Sequence, residues 1–186
     1  MQGAALEGGF TDVPVQSAQS FRQIMTAMAQ PGTICDVTGA QPPAPLSQAA
    51  GVVILTLCDP ETPVFLAPSV DTLAVRTWIT FHTGAPFTQA AQATFAVGIW
   101  DEMPLAVFPV GTADYPDRST TLIVELSDLS ATGATLRGPG IKDTARLSVP
   151  DVSAFQRNAR LFPQGLDFMF TCQNRLAALP RTTRVS

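Results

Sequence analysis

The longest apolar stretch of this chain spans residues 49–58, and it is already interrupted by Thr56. A membrane-crossing helix needs about 20 apolar residues in a row, so none is expected here. The same brevity restricts the fold to short helices and strands, most of them closed by proline or glycine. Residues 17–30 read as an amphipathic helix, with Phe21, Ile24, Met25 and Met28 at i, i+3, i+4 and i+7. Pro31-Gly32 ends it. Residues 33–38 form a short strand, and Gln41-Pro42-Pro43-Ala44-Pro45 is a stiff internal loop. The stretch 46–58 has strand-like β-branched residues but helix-like length, and is read as a buried helix ended by Asp59-Pro60.

Residues 62–67 are then a strand. Ser69 caps a helix to about Phe81, stopped by Gly84 and Pro86. Strands are expected at 93–100 and 120–126. Pro104, Pro109, Gly111 and Pro116 make the segment between them long and irregular, and such loops often carry function. Short strands at 136–141 and 146–149 flank a Gly-Pro-Gly turn, and Asp151 caps a helix to about Leu161. Strands at 166–172 and 176–179 face each other across a hairpin-length gap. The expectation is one α/β domain, residues 1–186, with a mixed β-sheet packed between helices.

Of the 186 residues only 14% are charged, and the formal net charge is −4. That balance does not suit a nucleic-acid binder. The low charge favours an oligomer or a complex subunit, with apolar surface covered by a partner. The start of the chain, Met1 to Glu7, lacks the basic-then-apolar pattern of a secretory signal. Cys35, Cys58 and Cys172 are widely spaced and read as buried free thiols in a reducing compartment. With only His82 beside them, and no close ligand spacing, no metal site is expected.

Arginine outnumbers lysine ten to one, the only lysine being Lys142. Codon bias accounts for the ratio, but the consequence for chemistry stands. There is one histidine for general base work and one lysine for Schiff-base work. Phosphate-loop, dinucleotide, zinc-protease and nucleophile-elbow motifs are all absent. His82 sits at a helix end, where it can bond the last carbonyls and favour the helix dipole; the catalytic alternative makes it a general base. Arg137-Gly138-Pro139-Gly140 can cradle an anion with backbone N–H groups and a guanidinium, or be a tight turn only. The segment from Phe108 to Thr112, with Tyr115, Pro116 and Ser119, can rim a pocket. The end, Leu179-Pro180-Arg181-Thr182-Thr183-Arg184, can dock on a phosphate, although chain ends usually fray.

Taken in order, these segments resemble a known family. They are Phe21-Arg22 to Pro31-Gly32, Leu55 to Val64, Phe81-His82-Thr83-Gly84-Ala85-Pro86, Phe95-Ala96-Val97, Gly111-Thr112 with Tyr115-Pro116, Gly138-Pro139-Gly140-Ile141, Phe162-Pro163 with Gly165 and Asp167, and Leu179 to Thr183. The chain is similar over nearly its whole length to the H subunits of the bacterial carbon–phosphorus lyase core complex, the PhnH family. The resemblance implies a fold similar to pyridoxal-phosphate-dependent transferases but without that cofactor or any other. It implies a cytoplasmic homodimer that joins the G, I and J subunits. Their assembly forms α-D-ribose 1-methylphosphonate 5-triphosphate from ATP and methylphosphonate during phosphonate catabolism. The resemblance supplies no established catalytic residue. The candidate substrate-binding residues are Arg137, Gly138, Gly140 and Arg181, with His82 as a weak catalytic candidate. An independent small-molecule enzyme using His82 as base is the alternative.

Overall fold

The computed structural model describes residues 6–186; the first five residues of the segment Met1 to Glu7 read above lie outside the described residues. Among the described residues four α-helices and nine strands make up the fold: α1 (Val13–Ala29), β1 (Cys35–Asp36), α2 (Gln48–Leu57), β2 (Val64–Leu66), α3 (Leu73–Thr83), β3 (Phe95–Ile99), β4 (Thr121–Glu125), β5 (Ala134–Arg137), β6 (Ala145–Leu147), α4 (Val152–Ala159), β7 (Asp167–Cys172), β8 (Arg175–Leu179) and β9 (Arg184–Val185). Six strands form a mixed sheet in the order β1-β8-β7-β4-β3-β2. Neighbours from β2 through β3 and β4 to β7 are parallel, and β8 and β1 add antiparallel edges. The remaining strands form an antiparallel sheet, β6-β5-β9.

Period-two alternation gives the main sheet two apolar faces. Val97, Ile123, Met169 and Ala178 face the layer holding α1, α2 and α3. Ala96, Leu122, Phe168 and Phe170 face the other layer, with Phe155 of α4 and Leu136 and Leu147 of the small sheet. Helices therefore flank both faces, with the small sheet sharing the second face with α4. Trp100, Phe155, Phe168 and Phe170 meet there in edge-on and stacked pairs, with ring centroids 4.9–6.3 Å apart. Such pairs add roughly 0.5–1.5 kcal/mol each beyond area burial, and they fix α4 on the sheet.

The stretch of ambiguous period is the helix α2, buried along most of its length and capped by Ser47, whose hydroxyl accepts from the Ala50 N–H at 3.1 Å. Three other expectations need correction. The buried face of α1 is Ser20, Ile24 and Ala27, while Phe21 and Met25 are both 48% exposed. Small residues let α1 approach α2 and β8 closely, and that turns the larger side chains outward. The cap of α3 is Thr72, not Ser69; the Ser69 N–H instead donates to the Glu102 carboxylate at 2.8 Å. The chain end does not fray. Residues 184–185 pair with β5, and the Thr135 and Ser186 backbones exchange bonds of 2.7 and 2.9 Å.

Cys35, Cys58 and Cys172 are buried and free, and burial with Asp59 alongside pushes the Cys58 thiol up to about 12. Among the described residues no helix is long and apolar enough to cross a membrane.

One contact closes the carboxyl end of the parallel strands. Glu125 ends β4 and accepts from the Ser47 N–H at 2.7 Å and the Thr171 hydroxyl at 2.9 Å. Burial raises its carboxyl above the ordinary value, outweighing those bonds. As pH rises, the unfolded chain releases this proton first. Stability from this group therefore falls between the ordinary glutamate value and the raised folded value, and is level outside that window. Glu125→Gln is expected to remove this fall. Urea midpoints of both proteins across that pH range check it; parallel profiles would refute it.

Candidate functional site

A cleft of about 770 Å³ opens on the α4 side of the molecule. Three pieces of chain build it: Arg137 and the Gly138-Pro139 turn after β5, the last turn of α4, and the segment from Arg181 to Val185. Asp151 starts α4 by accepting from the Ser153 and Ala154 N–H groups at 2.8 and 3.1 Å. The Ser153 hydroxyl and these N–H groups hold its carboxyl below the usual range. Gln156 of α4 donates to the Val185 carbonyl at 3.0 Å, tying the helix to β9. Phe162 stands in the cleft wall 61% exposed.

Arg181 lines the cleft, but its donors point into protein. Its Nε donates to Asp167 at 3.2 Å, and its Nη1 to the carbonyls of Pro116 at 2.6 Å and Pro163 at 3.5 Å. Its Nη2 donates to the Ser119 hydroxyl and to the second Asp167 oxygen. All five guanidinium N–H groups thus have acceptors. The Arg181 backbone N–H also donates to Asp167 at 2.8 Å. The two side chains are only 11% and 16% exposed. Asp167 is the first residue of β7, beside the first residue of β4. Arg181 is therefore a clamp that holds the final segment across the amino ends of two parallel strands.

Of the residues singled out in the sequence, Arg137, Gly138 and Arg181 come together in this cleft. Gly140 does not line it. With φ at +81°, it passes so close to the Ala29 carbonyl that any Cβ would collide with it, and so joins the turn to the end of α1. His82 is elsewhere, on α3 in the opposite layer. Its ring packs on Trp78 and Phe81 with centroids 5.2 and 4.9 Å away, and its Nε2 lies 3.4 Å from the Glu7 carbonyl. Among the described residues no cluster of histidine, cysteine and carboxylates could hold a metal. The segment from Phe108 to Ser119 does not rim this cleft, but Pro116 and Ser119 hold Arg181 from behind. Arg160 was not singled out in the sequence; Phe162 was noted only within the family motif Phe162-Pro163, with no role, and Arg184 only within the chain-end segment read as a possible phosphate dock. Nothing local marks Arg160, and nothing local gives Phe162 a place in a cleft; recognising β9 as a strand opposite β5 would have brought Arg184 to Arg137.

The model of the family described as bacterial phosphonate metabolism protein (PhnH) matches residues 8–186. The chain belongs to the PhnH family. It is 42% identical, over 198 aligned positions, to the PhnH subunit of α-D-ribose 1-methylphosphonate 5-triphosphate synthase from Rhizobium meliloti (strain 1021); the match covers 99% of this chain and 97% of that protein. It is 27% identical over 175 positions to HtxG of Stutzerimonas stutzeri, described provisionally as a C–P lyase subunit protein, covering 90% of this chain and 84% of that one.

In this PhnH chain the clamp makes a direct stability prediction. Asp167→Ala leaves the Arg181 guanidinium without its counter-charge in a largely covered position. It is expected to cost about 3 kcal/mol, read from the urea midpoint. A shift within experimental scatter would show that Arg181 is held by its carbonyl partners alone.

Proposed function

We propose that this chain is the H subunit of a carbon–phosphorus lyase core complex, needed for forming α-D-ribose 1-methylphosphonate 5-triphosphate from ATP and methylphosphonate. The observation that carries this reading is the full-length relationship to the Rhizobium meliloti subunit. The working unit is a single domain that forms a cytoplasmic homodimer and joins the G, I and J subunits. Low charge supports shared surfaces, and so do Phe21 and Met25 exposed together on α1.

Its role is to position substrate rather than to catalyse alone. The residues around the cleft are arginines, small or apolar side chains, Gln156 and Thr182. None of these is a general base near neutral pH. Arg137 and the open backbone at Gly138 suit an anionic substrate group. Arg181 acts through the segment it holds in place, and Gly140 through the turn it permits.

The alternative, an independent enzyme with His82 as base, is less well supported, because His82 is packed on aromatics away from the cleft. Co-expression with G, I and J subunits should yield a stoichiometric complex on size exclusion; a chain that stays apart while the others assemble refutes the subunit reading. His82→Ala should leave growth on methylphosphonate intact, and loss of growth by a folded variant would favour the alternative. Arg137→Ala should slow that growth several-fold while the dimer persists. Growth at the unmutated rate would remove Arg137 from the site.

A further inference from the structure

Arg137 and Arg184 are direct partners across the antiparallel β5–β9 pair. Directly opposite residues project from the same face, with Cβ atoms roughly 5 Å apart. Like charges in that position repel and weaken the pairing. Here they sit in the final two-residue strand of a chain with net charge −4. Neither guanidinium has an ion-pair partner among the described residues. Arg160 adds a third exposed cation from the end of α4. Its place there suits the helix dipole, but the guanidinium itself has no ion-pair partner among the described residues. Among the described residues no carboxylate lines the cleft. A local repulsion that no ion pair among the described residues relieves points to an anion from outside.

Resting on the subunit reading above, we propose that Arg137, Arg160 and Arg184 bind the triphosphate chain of a ribosyl or nucleoside triphosphate. The product that names the Rhizobium meliloti enzyme carries a 5-triphosphate. A triphosphate spreads its negative charge over three centres, and each can take a guanidinium fork. A single phosphonate would engage one or two of these arginines and leave much of the 770 Å³ cleft unfilled. Phe162, Ala159 and Val185 offer an apolar wall for the uncharged part of the ligand. Arg181 takes no part in binding, because its donors are used; it fixes the segment that carries Arg184.

The test is calorimetric titration of the full chain at constant ionic strength with inorganic tripolyphosphate, ATP and methylphosphonate. Arg160→Ala and Arg184→Ala remove exposed side chains with no hydrogen bonds to other described side chains, so both variants should fold. Each is expected to weaken tripolyphosphate and ATP roughly tenfold. Arg22→Ala, an exposed charge on α1, should change neither, and methylphosphonate should bind far more weakly than either. Equal affinity for ATP and tripolyphosphate assigns recognition to the phosphates alone. Tighter ATP binding that Phe162→Ala abolishes adds a sugar or base contact. Unchanged affinity in both arginine variants, or no triphosphate binding by the unmutated chain, overturns the proposal. Assembly with the other subunits is read separately by size exclusion. Arginine variants that no longer assemble would make the cleft a docking site for an acidic protein surface, which also overturns it. If the unmutated chain fails to assemble, the subunit reading falls, and the titration still judges the cleft.

Discussion

The clamp between Arg181 and Asp167 decides where the last residues of the chain go, and the cleft follows from that. A terminal segment this short has little apolar area of its own to bury. Its strand is two residues long, far below what stands alone. Besides its pairing with β5 and the Gln156 bond to Val185, it is held by a charge pair at the start of β7, reinforced by carbonyls of Pro116 and Pro163 and by Ser119. Desolvating two charges is costly, and only dense hydrogen bonding offsets it. Arg181 meets that condition with every donor engaged. The clamp also joins segments distant in sequence, because Asp167 opens one parallel strand and Ser119 precedes another.

The location of the cleft follows from how the sheet is covered. Parallel α/β sheets usually bind ligands outside the carboxyl ends of their strands. Here that end of β4 is closed, since Glu125 reaches the amino end of α2 through the Ser47 N–H and meets Thr171 of β7 beside it. The amino ends are spanned by Arg181 instead. The aromatic group of Trp100, Phe155, Phe168 and Phe170 then sets α4 at a fixed height above the sheet. The small sheet stands beside it, and the cleft is the space between α4 and that sheet. Sheet face, aromatic layer, helix end and terminal strand thus form one dependent series.

Most elements were legible in the sequence because their signals are local. Strand-favouring residues between turn signals marked β3 and β4, the hairpin-length gap after it marked β7, Asp151 marked the start of α4, and Gly84 marked the end of α3, where it adopts φ +70°. The failures share a cause. Whether Phe21 or Ala27 faces inward on α1 depends on how closely α2 and β8 approach, which no helical period encodes. Ser69 and Thr72 are equally good caps locally; in the fold the Thr72 hydroxyl accepts from the Val75 N–H, while Ser69 lies in the preceding turn with its N–H on Glu102. β9 is invisible because its pairing partner β5 lies far back in the chain and the Arg181 clamp that precedes it finds its acceptors only in the fold. Arg137 and Gly138 stood out locally as a turn, plain or anion-binding, whereas Arg160 and Arg184 reach the cleft only through tertiary placement.

That placement bears on an acidic protein in a specific way. With net charge −4 and a pI near 4.8, the molecule as a whole repels a polyanion at a distance. Long-range repulsion is screened within about 8–10 Å at ordinary ionic strength. Short-range attraction inside a partly enclosed cleft is screened much less. Under the triphosphate proposal, three guanidiniums without an ion-pair partner among the described residues, beside an apolar wall, would favour ligands that carry several charges close together. Singly charged metabolites gain too little from any one arginine to offset leaving water. The same balance explains why Arg181 must be neutralised internally. A fourth free cation at the back wall would add repulsion to a segment already strained by Arg137 facing Arg184, and Asp167 removes it.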